Sequence, residues 1–446
     1  MREMIRRLSK VQTIALGFFL IIVAGTLLLM LPIASRDGHS TGFFHALFTA
    51  TSSTCVTGLV VVDTYTNWTL FGQVVILALI QIGGLGFITI GMFFFIFLKR
   101  KIGLKERNLI QESVNTLQIS GIVRLVKKIV RYTIAFEGIG AILLMTRFIP
   151  RFGWLKGIWY GIFHAISAFC NAGFDLMGQF EPHSSLTMYY DDIVINIVVM
   201  ALIIIGGIGF IVWDDISKHK WHIKKYMLHT KIVLMMTAVL TLGGALCFYL
   251  FERNNLLLGM DAKGQILSSL FGSVTTRTAG FNTLDTGAYT EATRMLTVIL
   301  MFIGGNPGST AGGIKTTTML VILLYIWANL RNKRGLNIFG RRLDEDAIKK
   351  ASTVFCINLI LATVCVTIMS ALETLPLSDI MMEVFSAIGT VGISTGITRD
   401  ISMVSKYMLI ILMYCGRIGS MSFALAFTEK KKSNPVQLPV EQITIG

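Results

Sequence analysis

The sequence predicts an all-α integral membrane protein of four tandem helix–pore loop–helix repeats, with eight transmembrane helices. Three observations predict it. The 446 residues are 53% hydrophobic and only 15% charged, with a mean hydropathy of +0.68; a soluble chain carries roughly 25% charged residues. The apolar residues fall in blocks long enough for the ~20 residues that a membrane helix needs. Four short segments of one kind recur at close to a quarter of the chain length. With 7 Pro and no low-complexity tract, disorder is excluded.

The elements follow in order. Leading apolar runs lie near 11–32, 130–149, 230–250 and 352–372, and trailing runs near 69–98, 193–213, 295–326 and 407–427. Between them stand HALFTATSSTCVTGLVV from His45, HAISAFCNAGFDL from His164, SLFGSVTTRTAGFNTLD from Ser269 and EVFSAIGTVGISTGIT from Glu383. The stretch before each glycine turn is about a dozen residues, too short to span a bilayer, and reads as a re-entrant pore helix. This divides the chain into repeats at 1–100, 101–216, 217–332 and 333–446, the last with a C-terminal tail.

Charge gives the same arrangement independently. Lys and Arg concentrate in 1–10, 99–131, 214–231, 329–350 and 430–432, which the positive-inside rule assigns to the cytoplasm together with both termini. Asp63, Asp175, Asp285 and Asp379 fall in the alternate connections, which face outward. The net charge of +15 borders membrane spans, so anionic lipid is its partner rather than nucleic acid. MREMIRRLSK precedes an apolar run without a good cleavage site and reads as the flank of the first membrane helix.

Nothing in the sequence supports an enzyme. The six cysteines, Cys55, Cys170, Cys247, Cys356, Cys365 and Cys415, are scattered without a CxxC pair and read as small buried residues. There is no HExxH, GxSxG or phosphate-binding Gly-x4-Gly-Lys-Ser/Thr motif, so no organic cofactor is expected. His45 and His164 read as packing residues of the pore helices.

The glycine turns carry the chemistry. A potassium filter replaces an ion's hydration shell with backbone carbonyls. Thr390-Val391-Gly392 reproduces the start of the TVGYG pattern; Val56-Thr57-Gly58, Asn171-Ala172-Gly173 and Thr278-Ala279-Gly280 are looser versions. Glycine permits the backbone angles that let consecutive carbonyls point one way. One such tripeptide means little, whereas four at one period predict a K⁺ site at these twelve residues.

Two features lie below the turns. GGNPGSTAGGIKTTT, 304–318, places Gly304, Gly305, Asn306, Gly308, Ser309, Thr310, Gly312 and Gly313 in the third trailing run. Proline and repeated glycine should break the helix there, leaving a flexible gate with few apolar contacts that acts without altering the preference of a filter above it. Arg417 sits inside the fourth trailing run, on the face of Gly84, Gly207 and Gly305. A charge at that depth faces an aqueous cavity or is paired, with Glu137 as the candidate partner. Lys315 either caps the loop or snorkels to the interface.

The four turns, GGNPGSTAGGIKTTT and RIGSMSF together resemble the membrane subunits of Ktr-type potassium uptake systems, in the superfamily with Trk and HKT transporters. The resemblance covers essentially the whole chain. It implies one chain supplying four non-identical pore units around one central pore, with filter glycines Gly58, Gly173, Gly280 and Gly392, and a gate formed by the 304–313 loop and Arg417. Glycine rather than serine at 58 implies selection for K⁺, the transported ion, with Na⁺ dependence left open. It also implies a homodimer in a bacterial-type plasma membrane, resting on a cytosolic ring of nucleotide-binding, RCK-type regulatory subunits. The rivals are a secondary transporter whose broken third-repeat helix binds another small solute, and a non-transporting scaffold.

Overall fold

The computed structural model describes residues 9–86, 89–91, 121–332, 335–419 and 439. In chain order the main helices are α1 (Lys10–Leu29), α2 (Phe43–Cys55), α3 (Leu70–Leu85), α4 (Ile122–Phe152), α5 (Trp154–Phe169), α6 (Ile193–Ile208) and α7 (Phe210–His219). There follow α8 (Leu228–Glu252), α9 (Ala262–Thr275), α10 (Glu291–Phe302), α11 (Thr316–Leu330), α12 (Glu345–Leu372), α13 (Leu377–Gly389) and α14 (Met403–Ile418). One hairpin, Asn337–Ile338 with Arg341–Arg342, precedes α12.

α1, α4, α8 and α12 are long and apolar enough to cross a membrane, and they coincide with the four leading runs. Leu27, Leu242 and Ile360 on them are about 60% exposed, which is lipid-facing behaviour for a chain of this composition. α2, α5, α9 and α13 have 13, 16, 14 and 13 residues. At 1.5 Å per residue each is roughly 20–24 Å long, short of the ~30 Å hydrocarbon layer. These short helices are the buried ones, and their hydroxyl-bearing residues Ser52, Thr54, Ser167, Ser273 and Ser386 are wholly enclosed.

The helix that follows each short one starts on a side-chain cap. Thr69, Asp192, Thr290 and Ser402 accept hydrogen bonds from the first-turn amides of α3, α6, α10 and α14, satisfying donors with no intrahelical partner. Here the structure corrects one expectation. The trailing runs are not continuous helices. α3 stops before Gly86 (φ 80°), α6 before Gly209 (φ 108°) and α14 before Gly419 (φ 93°). α7 leaves α6 at 95°. Left-handed glycine ends a helix, and GGLG, GGIG and GRIG place one at the same offset. The outlying parts of the first and fourth runs, the basic clusters at 99–120 and 430–432, and most of RIGSMSF and the C-terminal tail lie outside the described residues.

Candidate functional site

Each short helix ends in a turn of one conformation. Val56, Asn171, Thr278 and Thr390 are left-handed, with φ of 58°, 59°, 70° and 51°. Two residues on, Gly58, Gly173, Gly280 and Gly392 are left-handed again, with φ of 93°, 69°, 82° and 92°. The intervening Thr57, Ala172, Ala279 and Val391 are not. Glycine adopts such an angle without a steric cost. Buried hydroxyls hold the turns. Gly58 N donates to Ser52 Oγ (3.1 Å) and Gly392 N to Ser386 Oγ (2.9 Å). Ser167 Oγ donates to Phe174 O (2.7 Å) and Thr275 Oγ1 to Phe281 O (2.5 Å).

The four turns close on one another. A Cβ built on Gly58 would lie 2.6 Å from Ala172 O; on Gly173, 2.7 Å from Ala279 O; on Gly280, 2.6 Å from Val391 O. On Gly392 it would strike Thr57 O, which returns the circuit to the first turn. The four glycines and the carbonyls of Thr57, Ala172, Ala279 and Val391 are therefore brought together in one closed circuit, with no room for side chains on the glycines, and Val56, Asn171, Thr278 and Thr390 head the same turns.

One face of the ring opens into a cavity of about 190 Å³ lined by the four glycines and by Asp63, Asp175, His183, Asp285 and Arg399. Asp63 is committed to structure, accepting from Tyr65 N, Thr66 N and His183 N. Half-buried Asp175, in the connection after the second turn, accepts from Met177 N (2.8 Å). Burial pushes its carboxyl up to about 7, against the Met177 hydrogen bond and with the Asp63 charge adding. His164 does more than pack: Nδ1 meets Tyr160 O and Nε2 accepts from Leu176 N, fixing this same connection. His45 Nδ1 meets Thr41 O.

Against the opposite face lies the segment 303–315 between α10 and α11, where the expected helix break occurs. It is clamped rather than loose. Asn306 and Thr310 are fully buried. The interruption of α6 at Gly209 explains the clamp, because a helix end leaves carbonyls and amides without intrahelical partners. Gly207 O accepts from Asn306 N (3.2 Å) and Nδ2 (2.8 Å), and Gly206 O from Thr310 N (3.3 Å). Phe210 N donates in return to Gly308 O (2.7 Å). Thr316 Oγ1 donates to Asn306 Oδ1. Lys315 Nζ donates to Ala311 O (2.7 Å) and Gly312 O (3.1 Å), so it caps the loop. Gly312 packs on the Thr390 side chain, and a Cβ on Gly313 would lie 2.9 Å from Gly389 O.

Arg417 crosses beneath the ring. Nη1 donates to Thr310 O, and Nη2 to Gly83 O and Gly84 O (3.1 Å). It lines a cavity of about 270 Å³ with Lys315, Ser309 and Asn358. The alternative reading, a pair with Glu137, is not what Arg417 adopts. Glu137 accepts from Gln81 Nε2 at 3.0 and 3.3 Å, while Arg417 takes the carbonyls left near the end of α3. Sequence reasoning missed three members of this site: Gly209, Gln81 and the side chain of Asn171. Only Gly209 had a signal, the third glycine of GGIG.

Lipid-facing helices around a closed ring of backbone turns define a membrane transport protein, and the comparisons agree. The chain belongs to the TrkH family of cation transport proteins, whose profile matches residues 5–436. It is a transport protein and not an enzyme. It is similar to the potassium/sodium uptake protein NtpJ of Enterococcus hirae, 44% identical over 452 residues, 99% of this chain and 98% of that one. It is also similar to the Ktr system potassium uptake protein B of Bacillus subtilis, 42% identical over 442 residues, 99% and 97% of the two chains. The fold resembles that of the potassium transporter TrkH from Vibrio parahaemolyticus, with a TM-score of 0.73 at 18% identity, covering 93% of this chain and 83% of that one.

Proposed function

We propose that this chain is the ion-translocating membrane subunit of a Ktr-type potassium uptake system. The observation that carries the reading is the closed circuit of Gly58, Gly173, Gly280 and Gly392. Carbonyls of the twelve turn residues strip and replace the hydration shell of K⁺. The repeats at 1–100, 101–216, 217–332 and 333–446 supply eight spans around this pathway. Both termini are cytoplasmic in a multi-pass plasma-membrane protein, and the cavity with Asp175 is the outer mouth. The 303–315 segment and Arg417 form the gate, since together they cross the inner face of the ring and one cation there opposes another.

The relatives' names, potassium/sodium uptake and Ktr system, support K⁺ and Na⁺ as the ions and a partner subunit in the system. The proposed working unit is a homodimer, in contact with membrane lipid, on a cytosolic ring of nucleotide-binding RCK-type subunits. K⁺ is the cargo, and Na⁺ is the candidate second ion. The test is flux of Rb⁺ and Na⁺ in proteoliposomes under imposed gradients, with and without the partner ring. Saturable Rb⁺ uptake that outcompetes Na⁺ supports the proposal. Uptake of an organic solute, or no ion flux in well-assembled protein, rejects it.

A further inference from the structure

The segment beneath the ring is bonded to the ring itself. Asn171, the left-handed first residue of the second turn, is buried. Its amide meets three other groups. Nδ2 lies 3.3 Å from Arg277 O and 3.5 Å from Thr278 Oγ1, at the entry to the third turn. Oδ1 faces Thr310 Oγ1 (3.1 Å), in the segment between α10 and α11, whose single proton is shared between this oxygen and Phe169 O (3.2 Å) at the end of α5, just before the same turn. A carbonyl can only accept, so the NH₂ must face Arg277 O, and this fixes the oxygen on Thr310. Thr310 O in turn accepts from Arg417. No such link serves the other two turns: Val56 has no polar atom at the equivalent position, and the hydroxyl of Thr390 has no partner.

We propose that Asn171 is a specificity-determining positioning residue through which the 303–315 segment sets ion preference. With Thr310 docked, the amide is held at its oxygen and its NH₂ is aimed at the third turn, which fixes the spacing of the second and third turns. Withdrawal of the segment removes Thr310, frees the amide to rotate and loosens the junction of the second and third turns, where the hydrogen-bonded tie lies. The segment therefore acts on ion preference as well as on flux, contrary to the expectation from its place below the filter. This inference rests on the filter and gate reading above.

The test uses the full chain with its partner ring in proteoliposomes and reads the Rb⁺/Na⁺ flux ratio. Thr310→Val keeps the shape and removes the donor; Thr310→Ser keeps the donor. Asn171→Gly removes the amide at a left-handed position that glycine adopts freely. Thr310→Val and Asn171→Gly are each expected to lower the ratio about fivefold, the scale of one buried hydrogen bond. Thr310→Ser should restore it, and the double variant should do no more than either single one. A merely structural role would change the amount of assembled protein or the total flux, not this pattern. Higher flux in Thr310→Val at an unchanged ratio overturns the inference and leaves the gate standing. If Thr310→Val fails to assemble, an unchanged ratio in Asn171→Gly overturns it equally. Gly58→Ser run alongside separates the two readings: no change there means that the ring does not select, and the filter reading falls.

Discussion

Three of the four helices that follow the turns are seated alike, and the third is not. A Cβ on Gly83, Gly206 or Gly416 would run into Thr54 O, Phe169 O or Ile388 O, each at the C-terminal end of the preceding short helix. The short helix is thereby wedged against the long one at a glycine, and the turn above it has a fixed floor. In the third repeat the corresponding Gly304 is covered by Gly312 O (2.8 Å) and Ile314 O (3.1 Å) of its own segment. Ile303 and Ile314 form a short parallel bridge, so 304–313 is a closed excursion that leaves and re-enters the path at one place. The glycine after the turn thus wedges the preceding short helix three times and is covered by its own segment once. The difference lies in the residues after the glycine pair: GGLG, GGIG and GRIG against GGNPGSTAGG.

The largest effect is expected where the comparison says nothing can move. Gly58→Ser puts an atom against Ala172 O in a left-handed conformation that costs ~1–3 kcal/mol for other residues. The Rb⁺/Na⁺ flux ratio should fall about tenfold or more by the same scale, with the amount of membrane-inserted protein unchanged. Next comes removal of the 304–313 excursion. Deleting Asn306–Gly312 should raise flux severalfold and weaken its dependence on the partner ring, measured as uptake with and without that ring. Alanine in place of Gly304, Gly305, Gly308, Gly312 and Gly313 should lock one state, because Gly312 and Gly313 have no room for a Cβ under the fourth turn.

A smaller effect belongs to the tie that Arg417 makes between this segment and the end of α3. Arg417→Ala removes charge-assisted hydrogen bonds from Thr310, Gly83 and Gly84, each worth about 2 kcal/mol. It should raise flux, less than the deletion does, and lower the thermal unfolding temperature. Glu137→Gln should leave flux near that of the unmodified chain, since Glu137 serves Gln81; equal loss in both variants would restore the salt-bridge reading.

The smallest effect concerns the mouth. The Asp175 carboxyl, pushed up to about 7, is anionic above that pH and neutral below it. A carboxylate near the entry concentrates cations. Uptake at low external Rb⁺ should therefore rise about twofold as external pH passes upward through 7, and Asp175→Asn should flatten the profile.

The parts that were legible in the sequence are those with a local signal. Glycine and proline punctuate the chain, so the turns and the break in the third helix were visible. A lone Arg in an apolar run announces itself, so Arg417 was visible too. Its partners were not, because backbone carbonyls have no sequence signature and are freed here by helix ends. The same interruptions were hidden by the tolerance of membrane helices for glycine. The bond between Asn171 and Thr310 joins residues 139 apart in the chain, and no periodicity reports such a contact. The buried state of Asn306 and Thr310 was misread as looseness because their polarity was counted without the carbonyls waiting for them.

The ring also has a history. Its last junction sets Gly392 against Thr57, and the Arg417 tie to Gly83 spans 334 residues. A ribosome delivering this chain to a membrane has released the first three turns long before the fourth exists. Until then their carbonyls face a gap where a wall is missing, and polar backbone in that setting needs water or a companion. Loops closed over such distances form late. A chain truncated before residue 392 should therefore be a target for quality control, and closure of the ring becomes the last event of its assembly.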